Sequence, residues 1–132
     1  MSQNEFPDEL HYTADDEWAR LEADRVVIGI TDYAQDQLGD IVFVELPKLG
    51  ASFEKGDAFG VIESVKAVSD LYAPMGGVVV AVNDELSNRP ELVNEDCYGD
   101  GWLIALSPSD PAELSSLLDA AAYAKHVAER TD

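Results

Sequence analysis

Apolar and polar positions alternate along several short stretches of the chain, and the period changes to that of a helix in two places. Arg25-Val26-Val27-Ile28-Gly29-Ile30 is a β-branched run that predicts a strand ending at Thr31-Asp32. Thr31 is suited to cap a short helix near 31–38, because its hydroxyl can accept a free amide hydrogen of the first turn, and Gly39 is suited to end it. Asp40 to Leu46 predicts a strand halted by Pro47 and Gly50. After a turn over Phe53 to Asp57, the segments Ala58 to Glu63 and Ala67 to Tyr72 predict the two arms of a hairpin, joined tightly by Glu63 to Lys66. The period of two puts Phe59, Val61 and Glu63 on one face of the first arm, and Val68, Asp70 and Tyr72 on one face of the second. Gly76 to Val82 is a further strand, ended by the turn signal Asn83-Asp84.

A faint repeat relates two of these pieces. Gly39-Asp40-Ile41-Val42-Phe43-Val44, running on to Leu49, can be laid over Gly76-Gly77-Val78-Val79-Val80-Ala81, running on to Leu86. The hairpin falls between the copies, which predicts two similar half-sheets packed on each other with Lys66 at one end. The C-terminal stretch predicts a helix near 111–128. Asp110 supplies an N-cap, Pro111 a first helical residue and Glu113 a capping-box acid. Leu114, Leu117, Leu118 and Ala121 recur at helical spacing, with Glu113, Ser116, Asp119 and Ala120 toward solvent.

Composition narrows the function. A chain of 132 residues, 46% hydrophobic, fits a single domain over 1–132. Its 27 acids against 8 bases give a net charge of −19, which repels phosphate backbones and anionic lipid, so neither nucleic acid nor membrane is an expected partner. The acids are spread along the chain rather than gathered in a tail. That favours adaptation to concentrated salt over attraction to one basic partner. The first residues lack the basic and apolar regions of a secretory signal, so the expected compartment is the cytoplasm. A single cysteine, Cys97, with nothing basic beside it, reads as a small buried hydrophobe. His11 and His126 lack metal-ligand spacing, and no metal site is expected.

Against this background Lys66 stands out. It is one of only four lysines, with Lys48, Lys55 and Lys125, and it lies between two apolar arms where a hairpin exposes it at the tip. A solvated cation is the plain reading of such a residue. Presentation for covalent modification is the other.

Glu63-Ser64-Val65-Lys66-Ala67-Val68-Ser69-Asp70 resembles the lipoyl-attachment segment of glycine cleavage system H proteins. Further segments resemble the same family in the same order: Tyr12-Thr13 with Glu17-Trp18, Gly29 to Gln35, Leu38 to Pro47, Asn83, Pro90-Glu91-Leu92-Val93-Asn94 and Tyr98-Gly99-Asp100-Gly101-Trp102. The likeness spans roughly residues 10 to 125. It implies a mainly β, lipoyl/biotinyl-type barrel-sandwich hybrid of two small antiparallel sheets, and a non-catalytic carrier with lipoic acid joined covalently to Lys66. It further implies three visiting enzymes: glycine decarboxylase (P protein), which loads an aminomethyl group on the arm, aminomethyltransferase (T protein), which takes it, and dihydrolipoyl dehydrogenase (L protein), which reoxidises the dithiol. A lipoyl ligase or transferase is the implied modifying enzyme.

The positions that match the family's arm-binding cavity are Glu17 and Asp70, where a carboxylate could pair with the carried amine, while Glu63 matches a residue recognised by modifying or partner enzymes. Each also has a plain reading as one acid among many. Three positions depart from the family pattern, with Asp16 in place of a common His, Cys97 in place of a common Pro and Gln37 in place of a frequent His. Other functions remain open at this point. They are an H-like protein relaying lipoate to other lipoyl domains, a 2-oxo acid dehydrogenase-type lipoyl domain, a biotin carrier, and an autonomous enzyme using Glu17 and Asp70 as acid and base. The last lacks a nucleophile, and a dehydrogenase domain usually carries Asp rather than Val65 before the lysine.

Overall fold

The computed structural model describes residues 4–130 and contains nine strands in two antiparallel sheets, neither closed into a barrel. The strands are β1 (His11–Tyr12), β2 (Glu17–Glu22), β3 (Arg25–Ile30), β4 (Ile41–Glu45), β5 (Ser52–Phe53), β6 (Ala58–Ser64), β7 (Val68–Tyr72), β8 (Gly77–Val82) and β9 (Ile104–Pro108). One sheet has the order β1-β2-β3-β9-β8-β5 and the other β4-β6-β7. The two are therefore six and three strands, not the similar halves that the repeat predicts. The added strands come from residues 11–22 and 104–108, whose pairing is not encoded in the repeat.

The six-stranded sheet is covered on both faces, which explains why β3 is buried from Val26 to Ile30. Val26, Ile28 and Ile30 point into the core between the sheets, where they meet Ile41, Val44, Phe59, Ile62 and Leu71 from the smaller sheet. Val27 points the other way, into an aromatic layer with Tyr12, Trp18, Tyr33 and Tyr123. Gly29 lies opposite Trp18 in the strand register, and a Cβ there would come within 2.6 Å of the indole. The missing side chain lets the indole lie flat on the strand, its Nε1 donating to the Cys97 carbonyl at 3.0 Å.

The first helix, α1 (Asp32–Leu38), forms where its caps predict. Thr31 Oγ1 accepts from Ala34 N, and Gly39 closes the helix at φ 81, a value that glycine adopts freely. A second short helix, α2 (Leu92–Glu95), follows a 3-10 turn at Asp84–Ser87.

The helix expected near 111–128 is two pieces. Pro111–Ser116 is a 3-10 turn started by Asp110, and a separate helix, α3, runs over Ala120–Arg130. Between them the backbone extends at Leu117, ψ 168, so that Leu118 can exchange both of its hydrogen bonds with Tyr12 at 2.8 Å. Asp119 begins α3 afresh, its Oδ1 accepting from Ala122 N. The register of the buried face shifts as a result: Ala120, Tyr123 and Val127 are buried, whereas Ala121 is exposed.

A similar displacement occurs in β6. The pairing with β7 slips between Ala58 and Gly60, leaving one extra residue on β6. The inward side chains are accordingly Phe59 and Ile62 rather than Phe59 and Val61. No helix among the described residues is long and apolar enough to cross a membrane.

Candidate functional site

Lys66 occupies the bend between β6 and β7, and the bend is built by Ser64. Its Oγ accepts from Lys66 N at 3.3 Å and Ala67 N at 3.1 Å, and its own amide donates to the Ala67 carbonyl at 2.8 Å. The hairpin tip is tied to the body through Val65 N, which donates to the Asp40 carbonyl. That loop is held in turn by Asn94 on α2. Asn94 Nδ2 donates to the Gly39 carbonyl and to Gln35 Oε1, and its Oδ1 accepts from Ile41 N. An asparagine far along the sequence thus fixes the loop against which the tip rests. The lysine stem passes near Gly39, where an added Cβ would stand at an ordinary contact distance of 3.6 Å from Lys66 Cε. Among the described residues the Lys66 ammonium has no hydrogen bond or ion pair, and the residue is exposed. A free primary amine at a bonded, rigid tip fits covalent acylation.

Glu63 stands on the outer face of the smaller sheet, between Phe43 of β4 and Val68 of β7 in the register. Its carboxylate has no partner among the described residues. The pairing of β4 slips between Ile41 and Phe43, so Val42 and Phe43 both turn outward, 52% and 47% exposed. With Val65 and Val68 they are exposed apolar side chains on the hairpin and the strand paired with it, in a chain that is otherwise acid-rich.

A cavity of about 150 Å³ opens at the seam between the two sheets and α1. Ile30, Ala34, Leu38, Ile62 and Leu71 give it apolar walls, and Asp15, Asp16, Glu17 and Asp70 give it acids. Glu17 and Asp70 are therefore brought together, as the sequence suggested. Lys66 and Glu63 lie outside the lining. Lys66 and Ala67 lie in the bend and β7 begins at Val68, so the four residues from Lys66 to Asp70 span at most about 13 Å. Asp16 and Gln37, set apart earlier as departures from a family pattern, both line the cavity.

Glu17 is the buried acid of the group, 1% exposed on β2. Its Oε2 accepts from Tyr72 N at 2.8 Å across the seam between sheets, and its Oε1 accepts from the Thr13 hydroxyl at 3.3 Å. Burial pushes its carboxyl up to about 8; the Tyr72 amide pulls it down, Asp15 pushes it up, Thr13 pulls it down and Asp16 pushes it up. The unfolded chain's carboxyl titrates at about 4.3, so between these values the folded state binds the extra proton. The stability from this group is complete below the ordinary carboxyl range and is lost as pH rises through about 8. Glu17→Gln keeps an acceptor for Tyr72 and removes the titration. Urea unfolding from pH 5 to pH 9 is expected to give the wild type a loss on the order of a few kcal/mol beyond that of Glu17→Gln. Parallel profiles would mean that Glu17 ionises like an exposed acid.

Cys97, by contrast, carries no chemistry: it is buried, and burial pushes its thiol up to about 12. Thr13, the Tyr72 amide and the Asn94 clamp are parts of the site that side-chain chemistry in the sequence does not single out.

Comparison with known proteins agrees with this geometry. The family model described as "Glycine cleavage H-protein" matches residues 10–130. The glycine cleavage system H protein of Anaeromyxobacter sp. (strain K) is 55% identical over 126 residues, covering 96% of this chain and 98% of that protein. Glycine cleavage system H protein 2 of Pseudomonas putida is 58% identical over 125 residues, covering 94% and 98%. Among solved structures, the crystal structure of a glycine cleavage system H protein from Mycobacterium marinum superposes with a TM-score of 0.86 at 39% identity, covering 93% of this chain and 99% of that one. Fold, site and sequence thus lead to one assignment: the chain belongs to the glycine cleavage H-protein family, non-catalytic carriers with the lipoyl-type barrel-sandwich fold that bear lipoate on a lysine.

Proposed function

We propose that Lys66 is the residue that bears the lipoyl group and that the cavity floored by Glu17 and edged by Asp70 shelters the carried amine. The observation that carries this reading is the placement of a free lysine at a braced hairpin tip, four residues before Asp70 at the edge of an acid-floored apolar cavity, a span of at most about 13 Å. When bound, the group supplies a long mobile arm with a reversible dithiol. The protein's own residues do the rest. Ile30, Leu38, Ile62 and Leu71 exclude water, and Glu17 and Asp70 supply negative charge where the amine arrives.

Magnitudes decide how Glu17 behaves. With the cavity empty at neutral pH, Glu17 holds its proton. An ammonium at 4 Å is worth about 4 kcal/mol at an effective dielectric of 20. That equals about three pKa units, comparable with the upward push from burial, and returns Glu17 to a carboxylate. The floor is thus neutral when empty and charged when occupied, which limits the cost of keeping a buried acid.

Glu63, with the exposed apolar side chains of Val42, Phe43, Val65 and Val68, faces the visiting proteins. The decarboxylase, the aminomethyltransferase, the dihydrolipoyl dehydrogenase and the lipoyl-attaching enzyme all have to approach this tip. An unpartnered acid among exposed apolar side chains suits recognition by short-range packing plus one cation.

The sheltering role is tested on protein carrying the aminomethyl group, with intact mass followed over time. Glu17→Gln and Asp70→Asn are each expected to shorten the lifetime of the cargo several-fold, and the double variant more. Wild-type lifetimes in all three would return both acids to ordinary surface and core duties.

A further inference from the structure

The wall of the cavity beside Glu17 is held from behind by a residue 114 positions away. Asp16 lines the cavity and sits at φ 71, a left-handed conformation uncommon outside glycine and one that aspartate tolerates better than most side chains. The surroundings here are well defined. Arg130, in the last turn of α3, grips the Asp16 carboxylate at two points, NH1 to Oδ1 at 2.7 Å and NH2 to Oδ2 at 2.9 Å. The Tyr123 hydroxyl donates to the same Oδ1 at 2.9 Å, and so accepts from the Thr31 hydroxyl at 2.7 Å, the hydroxyl that caps α1. The guanidinium is steadied by the Tyr33 ring, 5.0 Å away, and by His126 Nε2 at 3.2 Å. The Asp16 carbonyl accepts from Thr31 N and its amide donates to the Thr13 carbonyl.

The two-pronged grip sets this pair apart: Arg20 reaches Glu22 at the same 2.7 Å, but through one nitrogen and two residues along the same strand. Arg89 reaches its acids only at 3.9 and 4.0 Å with both partners more than half exposed. The Arg130–Asp16 pair is short, two-pronged and partly shielded, and it acts on the residue immediately before Glu17. The direction in which Glu17 leaves the turn is set by the backbone of Asp16. Arg130 is not part of the cavity lining, and it reaches the turn before Glu17 through Asp16 and, by a longer contact of 3.5 Å, through the Ala14 carbonyl.

We infer that Arg130 is a positioning residue of the docking cavity: its grip on Asp16 holds the left-handed turn that aims the Glu17 carboxyl across the seam at the Tyr72 amide. The functional meaning rests on the sheltering role proposed above, but the geometry is testable without it. The same grip also offsets the charge of Asp16, which leaves Asp15, Glu17 and Asp70 as the cavity acids that a cation meets.

The experiment is amide hydrogen exchange, followed by NMR on the protein without its lipoyl arm. Arg130→Ala is expected to speed exchange at Tyr72 N and Thr31 N by about tenfold while Val26 and Ile28 in the core keep wild-type rates. Arg130→Lys, which keeps the charge and loses the fork, is expected to fall between. Arg130→Gln gives the same reading should the alanine variant fold poorly. Lys125→Ala, exposed on the same helix, serves as the control and is expected to match wild type. Unchanged exchange at Tyr72, or an increase shared equally by the core amides, overturns the proposal and leaves Arg130 as a fastener of α3. Because no arm is present, this result is separate from the cargo lifetimes of Glu17→Gln and Asp70→Asn.

Discussion

Lys66→Arg is expected to abolish acyl attachment completely while leaving the fold at wild-type stability. The two halves of that expectation have separate causes. Attachment requires a primary amine that can lose a proton and attack an activated acyl group, and a guanidinium remains protonated and spread over three nitrogens. Stability is indifferent, because the Lys66 side chain has no hydrogen bond or ion pair among the described residues and the turn is made by Ser64 and by main-chain bonds to Ala67 and Asp40. Surface changes of this kind stay within about 0.5 kcal/mol. Intact mass of protein purified from lipoate-producing cells, together with a thermal melt, reads both. A lipoyl increment that persists in Lys66→Arg would move attachment to Lys48, Lys55 or Lys125 and sink the assignment. Lys55 is the instructive comparison: it too sits in a turn, but its Nζ reaches Ser116 at 3.3 Å and no braced hairpin presents it.

Gly60→Ala is expected to be the most damaging single methyl in the molecule's carrier hairpin. Gly60 lies at the slipped pairing of β6, where a Cβ would stand 2.3 Å from the Glu45 carbonyl oxygen and 3.4 Å from its carbon. The obstruction is backbone, so no rotamer relieves it. β4 must retreat from β6, and the pairs Glu45–Val61 and Val44–Ile62 loosen together. Overpacking of this sort costs about 3 kcal/mol, which for a domain of this size lowers the melting temperature by about 10 °C. Gly56→Ala offers the contrast. Gly56 has φ 91 but nothing within 4 Å of the added carbon, so only the backbone preference is lost, about 1 kcal/mol. A melt of Gly60→Ala within a few degrees of Gly56→Ala would mean that β4 slides without cost.

The sequence was legible wherever a signal is local. Thr31 and Gly39 bracket α1 because caps act over three or four residues, and the arms around Lys66 announce themselves by alternation and a short link. What could not be read is non-local. The slip at Gly60 moves Ile62 inward in place of Val61, and alternation cannot foresee one extra residue. The break in the C-terminal helix depends on Tyr12, more than a hundred residues earlier, offering a pairing partner to Leu118. The same holds for the site. Lys66 could be picked out by the chemistry of its flanks. The partners that set Glu17 in place, the Tyr72 amide and the Arg130 grip on its neighbour, are contacts across 55 and 114 positions that no motif records.

The bond from Tyr72 to Glu17 joins the sheet that bears the lysine to the sheet that bears the acid. A carrier must both hold and release, and a cavity within one rigid layer would have to unfold in order to let go. Here the two walls belong to separate hydrogen-bonded layers, so a small parting of them opens the cavity with every strand ladder intact. On the proposed sheltering role, release would be a matter of layer separation, governed by apolar contact between sheets. A visiting enzyme that levers on the hairpin tip would be pulling on the latch as well as on the arm.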